Sequence, residues 1–288
     1  MFGFQRIGDL AWAAGDSRAR GFLIGGTAGR TTLSGEGLQH QDGHSHVLAS
    51  TIPNCRAYDP AYAYELAVII HHGLRRLLVE GQDEFYYLTV MNENYLHPAM
   101  PAGAEEGIVR GLYLLRASAL GSDAPRVQLF GSGTILREVL GAAELLETRY
   151  GVAADVWSVT SYTELRRDGM AVERQGRLHP LAARPRPYLD QMLDGHPGPV
   201  IAASDYQRTL PDLIRPYLSR RMVTLGTDGF GRSDQRRVLR GHFEVDAPAV
   251  VVAALSALVE TGQGQAQTVQ DALDHFGIHP DGSHPWIL

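Results

Sequence analysis

Cysteine is almost missing from this sequence. One residue, Cys55, cannot close a disulfide within the chain, so a disulfide framework is excluded and a cytoplasmic setting is expected. Basic charge is short as well. The 26 Lys and Arg residues face 32 Asp and Glu, the net charge is −6 and the isoelectric point lies near 6.0. That leaves no basic footprint for nucleic acid. No apolar run reaches the roughly 20 residues of a membrane-spanning helix. The N-terminus has no cationic region followed by a long apolar run, so no signal peptide is expected. What is present is an ordinary globular composition, 44% apolar, in a chain long enough for two modest domains.

The most unusual stretch runs from Arg30 to His46, RTTLSGEGLQHQDGHSH. It places Glu36, Asp42 and three histidines (His40, His44, His46) among Gly35, Gly37 and Gly43. With neither a helical period nor strand alternation, it reads as a loop. Three uses are open to it. It is a solvated polar loop; or a metal loop, with His44 and His46 spaced as a clamp and His40 as a third ligand; or an acid/base loop in which His40 and Glu36 handle protons. Against the metal, Val47 to Ile52 supply no carboxylate, and Gly43 argues against the helix that would bring His40 and His44 to one face.

Around the loop the chain alternates strands and helices. Phe4, Ile7, Leu10, Ala11 and Ala14 mark a helical face over Phe2 to Ala14, and Gly21 to Gly26 is a short buried strand feeding the loop. Ligands of open α/β sheets sit outside the carboxyl ends of strands, where this loop would lie. Asp59-Pro60 is expected to open a helix carrying Ala63, Leu66, Ala67, Ile70, Leu74, Leu77 and Leu78, with His71 and His72 in structural roles. Phe85 to Val90 is a strand, and Pro98 and Pro101 mark a boundary. A linking helix over Gly107 to Ser118 follows. Then come strands at Arg126–Phe130, Asp155–Thr160, Pro199–Ala203 and Met222–Leu225, with helices at Thr134–Tyr150, Asp205 to about Leu218, Ala247–Glu260 and Thr268–Phe276. Arg167 to His196 reads as a long excursion. The order implies a parallel or mixed sheet under helices. Gly131-Ser132-Gly133-Thr134 is better taken as a tight strand-to-helix turn than a phosphate cradle, since it is too short for either nucleotide fingerprint and no Lys follows.

GEGLQHQDGHSH, then TIPNCRAYDPAYAYE and NENYLHPAMPAGAEEGI, resemble the homodimeric, bacterial-type pyruvate dehydrogenase, the thiamine diphosphate-dependent decarboxylating component of its complex. MFGFQRIGDLAWAAGD, GFLIGGTAGRTTL, VQLFGSGTILREV, SVTSYTELRRDGM, LGTDGFGRSDQRR and HFEVDAPAVVVAAL fit the same family in the same order. The resemblance covers essentially the whole chain, but only the C-terminal third of the longer family protein.

The resemblance implies an α/β chain: residues 1–100 as the C-terminal part of a pyrimidine-binding domain and 101–288 as a transketolase-like C-terminal domain with a mixed, mostly parallel sheet. It implies that Phe2 lies against the cofactor's aminopyrimidine ring, and that Glu36 and His40 face a small 2-oxo acid. Thiamine diphosphate is the implied cofactor, with Mg²⁺ held mainly by a domain absent from this chain. Gly226-Thr227-Asp228-Gly229 does not match the family's magnesium pattern, and no metal ligand is expected here. The glutamate that activates the pyrimidine would precede Met1, and the position of Gln41 is usually acidic in relatives. Tyr62, Tyr64 and Tyr95 are left to packing. The expectation is therefore one subunit of a split enzyme, inactive alone, joined to a polypeptide carrying the diphosphate domain in a hetero-oligomer such as α2β2. A lipoyl-bearing acyltransferase is a possible acceptor. The alternatives are a transketolase-like carboligase subunit and a non-catalytic scaffold.

Overall fold

The computed structural model describes residues 3–287, so Phe2 lies outside the described residues. The first layer holds α1 (Gly3–Asp16), β1 (Gly21–Gly25), α2 (Ser45–Ala49), β2 (Cys55–Tyr58), α3 (Ala63–Leu74) and β3 (Phe85–Thr89). Its three strands are parallel in the order β1-β3-β2, with Gly21 opposite Phe85 and Cys55 opposite Phe85 on the other side. The middle strand is buried along its whole length, which is why FYYLT is unbroken by polar alternation.

The second layer holds α4 (Glu105–Arg110), β4 (Tyr113–Arg116), β5 (Arg126–Gly131), α5 (Leu136–Tyr150), β6 (Ala153–Ser158), α6 (Tyr162–Leu178), α7 (Tyr188–Met192), β7 (Val200–Ala203), α8 (Thr209–Asp212), β8 (Met222–Leu225), α9 (Arg236–His242), α10 (Ala247–Glu260) and α11 (Ala266–Phe276). The sheet order is β4-β6-β5-β7-β8, parallel except for β4, which runs antiparallel to β6. The fold is thus α/β with mixed, mostly parallel sheets. α5 buries Leu136, Val139, Ala142, Ala143 and Leu146 at helical spacing, and α10 packs beside it on the same sheet face. Leu165, Tyr188 and Leu189 cover the opposite face.

Several segments differ from the reading of the sequence, each for a local reason. Asp59-Pro60 does not start the helix. α3 begins at Ala63, and Glu65 supplies its cap by accepting the amide protons of Ala61 (2.6 Å) and Tyr62 (3.0 Å). Gly107 to Ser118 is not one helix. α4 stops at Gly111 (φ 101°), where a side chain would strike Ser161 O, and the chain leaves as β4. The helix expected from Asp205 to Leu218 is cut by Pro211 and Pro216 to α8 and a single 3₁₀ turn over Arg215–Tyr217. Much of the supposed excursion is α6, whose cap is Ser161 accepting from Glu164 N–H.

Arg236–Glu260 is, among the described residues, the one stretch apolar and long enough on average to cross a membrane. It breaks at Glu244 (φ 56°) into α9 and α10, and α10 is buried on α5 and β7. The two layers meet through buried polar groups. Glu65 also accepts from Tyr113 OH and Ser158 Oγ, both at 2.6 Å, which pins the head of α3 to β4 and β6.

Candidate active site

The loop leaves the carboxyl end of β1, as the strand rule requires: Val90 N–H donates to Gly25 O (2.9 Å) and Ala28 N–H to Val90 O (3.0 Å), so β3 guides its first residues. Beyond Ala28 the second layer takes over. Asp205, fully buried just after β7, accepts from Arg30 N–H (2.9 Å), Thr31 N–H (3.0 Å) and the Thr31 hydroxyl (2.7 Å). Burial still pushes its carboxyl up, to about 6. Gly29 (φ 86°) is required there, because a Cβ would lie 2.2 Å from Asp205 Oδ2. The Arg30 guanidinium, also buried, donates to the carbonyls of Thr227 and Gly229.

Glu36 and His40 stand side by side. Glu36 Oε2 lies 3.5 Å from His40 Nδ1, and both side chains are about half exposed (48% and 44%). A 3₁₀ turn, Leu38–His40, presents the imidazole. Gln41 locks that turn to the second layer by a two-way bridge: its amide accepts from Arg232 N–H (2.8 Å) and donates to Arg232 O. Gly35 N–H donates to Asp234 O (2.9 Å), Arg236 Nε to Thr32 O (2.7 Å), and Gln207 N–H to Gly43 O (3.0 Å). Gly231 must be small, since a Cβ would sit 2.5 Å from Leu38 O. An accessible carboxylate–imidazole pair on an otherwise anchored loop is suited to moving a proton at a bound molecule.

The three histidines part company. His44 Nδ1 meets the Gln5 amide, and burial, then Arg30, lowers its pKa. His46 is buried, with Nε2 2.9 Å from Thr89 Oγ1, and burial brings it down to about 3, so it is neutral. Asp42 accepts from the His44 and Ser45 amides and the Ser45 hydroxyl, heading α2. Among the described residues no group of three His, Cys, Asp or Glu side chains is placed to grip a metal ion, so the three histidines do not converge on one centre.

The glycine turns are internal. Gly133 N–H donates to Asp59 O (3.1 Å), and a Cβ at Gly133 would lie 2.7 Å from Asp59 Oδ2, so the turn after β5 receives this chain's own Asp59. Asp228 accepts from Arg208 N–H (2.9 Å) and Nε. Phe4 pads the core, edge-on to Tyr87 at 4.8 Å, and Tyr62 stacks on Tyr64 at 5.4 Å. Sequence reasoning missed Asp205 and the Arg232 bridge. They lie 175 and 191 residues from the loop groups they hold, Arg30 and Gln41, and no local pattern marks them.

The pyruvate dehydrogenase E1 component middle-domain family matches residues 1–98, and the transketolase-like TK C-terminal domain family matches residues 111–246. The pyruvate dehydrogenase E1 component of Pseudomonas aeruginosa is 62% identical over 286 residues, which is 99% of this chain and 32% of that protein. That of Escherichia coli K12 is 56% identical over 287 residues, with the same coverage. The chain spans about a third of the length of the curated relatives it matches. Among solved structures, transketolase from Campylobacter jejuni superposes with a TM-score of 0.64 at 17% identity, covering 88% of this chain and 34% of that one. An inactive β4 tetramer of a split gene transketolase gives 0.56 at 16%, covering 83% and 67%. These likenesses are of fold alone.

Proposed function

We propose that this chain, which belongs to the pyruvate dehydrogenase E1 family, forms the substrate- and pyrimidine-side wall of a thiamine diphosphate-dependent 2-oxo acid decarboxylating site. A polypeptide carrying the diphosphate-binding domain and the rest of the pyrimidine domain completes it. The observation that carries the reading is the Glu36–His40 pair, exposed at the carboxyl end of β1 on a loop anchored by the second layer.

The residues present divide the cofactor. The diphosphate and Mg²⁺ do not fit this chain: the turn after β5 is taken by Asp59, Asp228 is engaged by Arg208, and no metal-gripping group lies among the described residues. Those groups are assigned to the completing polypeptide. Phe2 is assigned to the pyrimidine ring by resemblance alone. When bound, thiamine diphosphate supplies the nucleophilic carbon that lets a 2-oxo acid lose carbon dioxide. This chain's part is proton handling and orientation. A carboxylate at Nδ1 favours the tautomer with the proton on Nδ1 and makes Nε2 the basic nitrogen. His40 then accepts or donates a proton at the substrate carbonyl oxygen, and Glu36 stabilises the imidazolium whenever it forms.

The surface supports the missing partner. β1 is an edge strand of a three-stranded sheet, and Leu10, Ile24, Leu78 and Val79 are exposed by 69%, 54%, 78% and 80%. A cytoplasmic α2β2 assembly handing its acyl group to a lipoyl-bearing acyltransferase follows the same reading. Carboligation is the runner-up, favoured by the transketolase fold, but the much higher identity to E1 components ranks it second. A pure scaffold has no use for the exposed Glu36–His40 pair.

The test is titration with thiamine diphosphate and Mg²⁺ of the chain alone and mixed with the polypeptide encoded beside it. Binding and 2-oxo acid decarboxylation are expected only in the mixture, and His40→Ala should lower its turnover about 100-fold. Cofactor binding by the chain alone, or an unchanged rate in the variant, overturns the assignment.

A further inference from the structure

The loop that carries Glu36 and His40 is gripped by an arm, Gly226 to Gln235, which runs from the end of β8 to the start of α9 without regular structure. Thr227 and Gly229 offer their carbonyls to Arg30, Arg232 exchanges two bonds with Gln41, and Asp234 O accepts from Gly35 N–H. The base of the arm is secured. Thr227 donates from its amide to Tyr206 O and from its hydroxyl to Asp205 O, both at 2.9 Å. Further out, core burial gives no help. Phe230, the one large apolar side chain of the arm, is 78% exposed. Backbone with so few buried apolar contacts opens locally unless something else holds it.

The segment after α11 supplies that support. It is built of two turns of the same kind, His279-Pro280-Asp281-Gly282 and His284-Pro285-Trp286-Ile287. Gly282 N–H donates to His279 O (3.1 Å) and Ile287 N–H to His284 O (2.9 Å), so each closes from its first residue to its fourth. Proline at the second position presets φ for such a turn and lowers the entropy lost in ordering it. His284 Nδ1 also accepts from Trp286 N–H (3.0 Å). The second turn lies against Gly229. There φ is 94°, and a Cβ would sit 2.6 Å from Pro285 O and 3.3 Å from Trp286 Cα. Pro285 is buried, although the residues on both sides of it are exposed. Gly229 is therefore fixed from two directions: Arg30 holds its carbonyl, and the main chain of Pro285 and Trp286 fills the space beside its Cα.

We propose that Pro285 and Trp286 are positioning residues for the Glu36–His40 pair. Their turn keeps Gly229 in place, and the arm then presents carbonyls to Arg30 and Arg232 to Gln41, which fixes the 3₁₀ turn under the imidazole. They act through backbone, since the atoms that meet Gly229 are main-chain atoms. The inference deepens the reading of Glu36 and His40 as the proton-handling pair and rests on it for its effect on turnover. The anchoring itself is measured without any activity.

The experiment is hydrogen exchange on the full chain and on a chain ended after Ile278, which keeps α11 and the bond from Ile278 N–H to Leu273 O. Amides of residues 35–41 should exchange about tenfold faster in the shortened chain, with β5 and β6 unchanged and the melting midpoint within about 2 °C. His284→Ala should speed the same amides, and His284→Asn, whose side-chain oxygen can accept from Trp286 N–H, should restore the wild-type rates. If the shortened chain does not fold, this pair of variants carries the test. Mixed with the polypeptide proposed to complete the site, the shortened chain should lose about tenfold in kcat with half-saturation by thiamine diphosphate unchanged, as expected of a misplaced acid/base group. Unchanged exchange at 35–41, or equal acceleration throughout β5 and β6, overturns the positioning role, as does an unchanged kcat. Local acceleration beside a wild-type mixture that decarboxylates nothing supports the anchoring and overturns the reading of the pair instead.

Discussion

The sequence contains no lysine, so all 26 basic residues are arginine, and this shapes the loop at the level of single side chains. A guanidinium carries several donors in a rigid fork, and Arg30 uses it to serve two carbonyls from a buried position. Asp205 is the matching acceptor, and its titration is measurable. Its carboxyl is raised from 3.8 unfolded to about 6 folded, chiefly by burial. Between roughly pH 4 and 6 the folded state therefore binds more protons than the unfolded one, and this group's contribution falls as pH rises through that window. Asp205→Asn keeps an acceptor for Thr31 without the charge. The wild type should lose stability relative to the variant from pH 4 to 6 and no further above it, which parallel urea titrations would show. A constant difference across that range would mean that Asp205 titrates normally. Little of this was legible in the sequence. Glu36 and His40 stood out because they cluster with glycines over a dozen residues. Asp205 is one acid among 32 and gains its meaning only when the second layer folds onto the loop.

At the scale of elements, regular segments were the readable part: α1, β1, β3, α5 and α10 carry their period, caps or β-branched runs in the local sequence. Misreadings came where tertiary contact outweighed propensity. Asp59-Pro60 looks like a helix start but ends a strand, because Thr89 takes the carboxylate and Glu65 caps α3 instead. The 3₁₀ turn carrying His40 was invisible, since its regularity comes from Arg232 and Gly231 in a distant loop. Gln41 makes a bridge for which it needs both a donor and an acceptor. A carboxylate there accepts from Arg232 N–H but repels Arg232 O. Gln41→Glu should therefore loosen the turn, raising hydrogen-exchange rates of amides 38–42 by about tenfold, equivalent to roughly 1.4 kcal/mol for one lost bond of this kind. Exchange restored to wild-type rates when the glutamate is protonated at low pH would identify the bridge as the cause, and unchanged exchange at pH 7 would rule the clamp out.

Across the whole molecule, the family resemblance made the two-layer α/β plan readable. The order β4-β6-β5-β7-β8 and the seam between layers came only from contacts far apart in sequence. The seam explains why the chain holds together with a three-stranded first sheet: Glu65 bonds Tyr113 and Ser158 across it, and Arg240 reaches across it to Glu93. The opposite side of that sheet is different. Leu10, Ile24, Leu78 and Val79 are apolar and exposed around an edge strand, so a charge there meets water in the isolated chain and a buried surface in an assembly. Ile24→Asp combined with Leu78→Glu should shift the stability of the isolated chain by only about 0.5 kcal/mol per site. The same pair should prevent complex formation with the polypeptide proposed to complete the domain, as read by sedimentation velocity of the mixture. If the variant assembles as well as the wild type, the partner sits elsewhere. If its stability collapses instead, these side chains belong to this chain's own core, and the edge of β1 is not where the proposed partner joins.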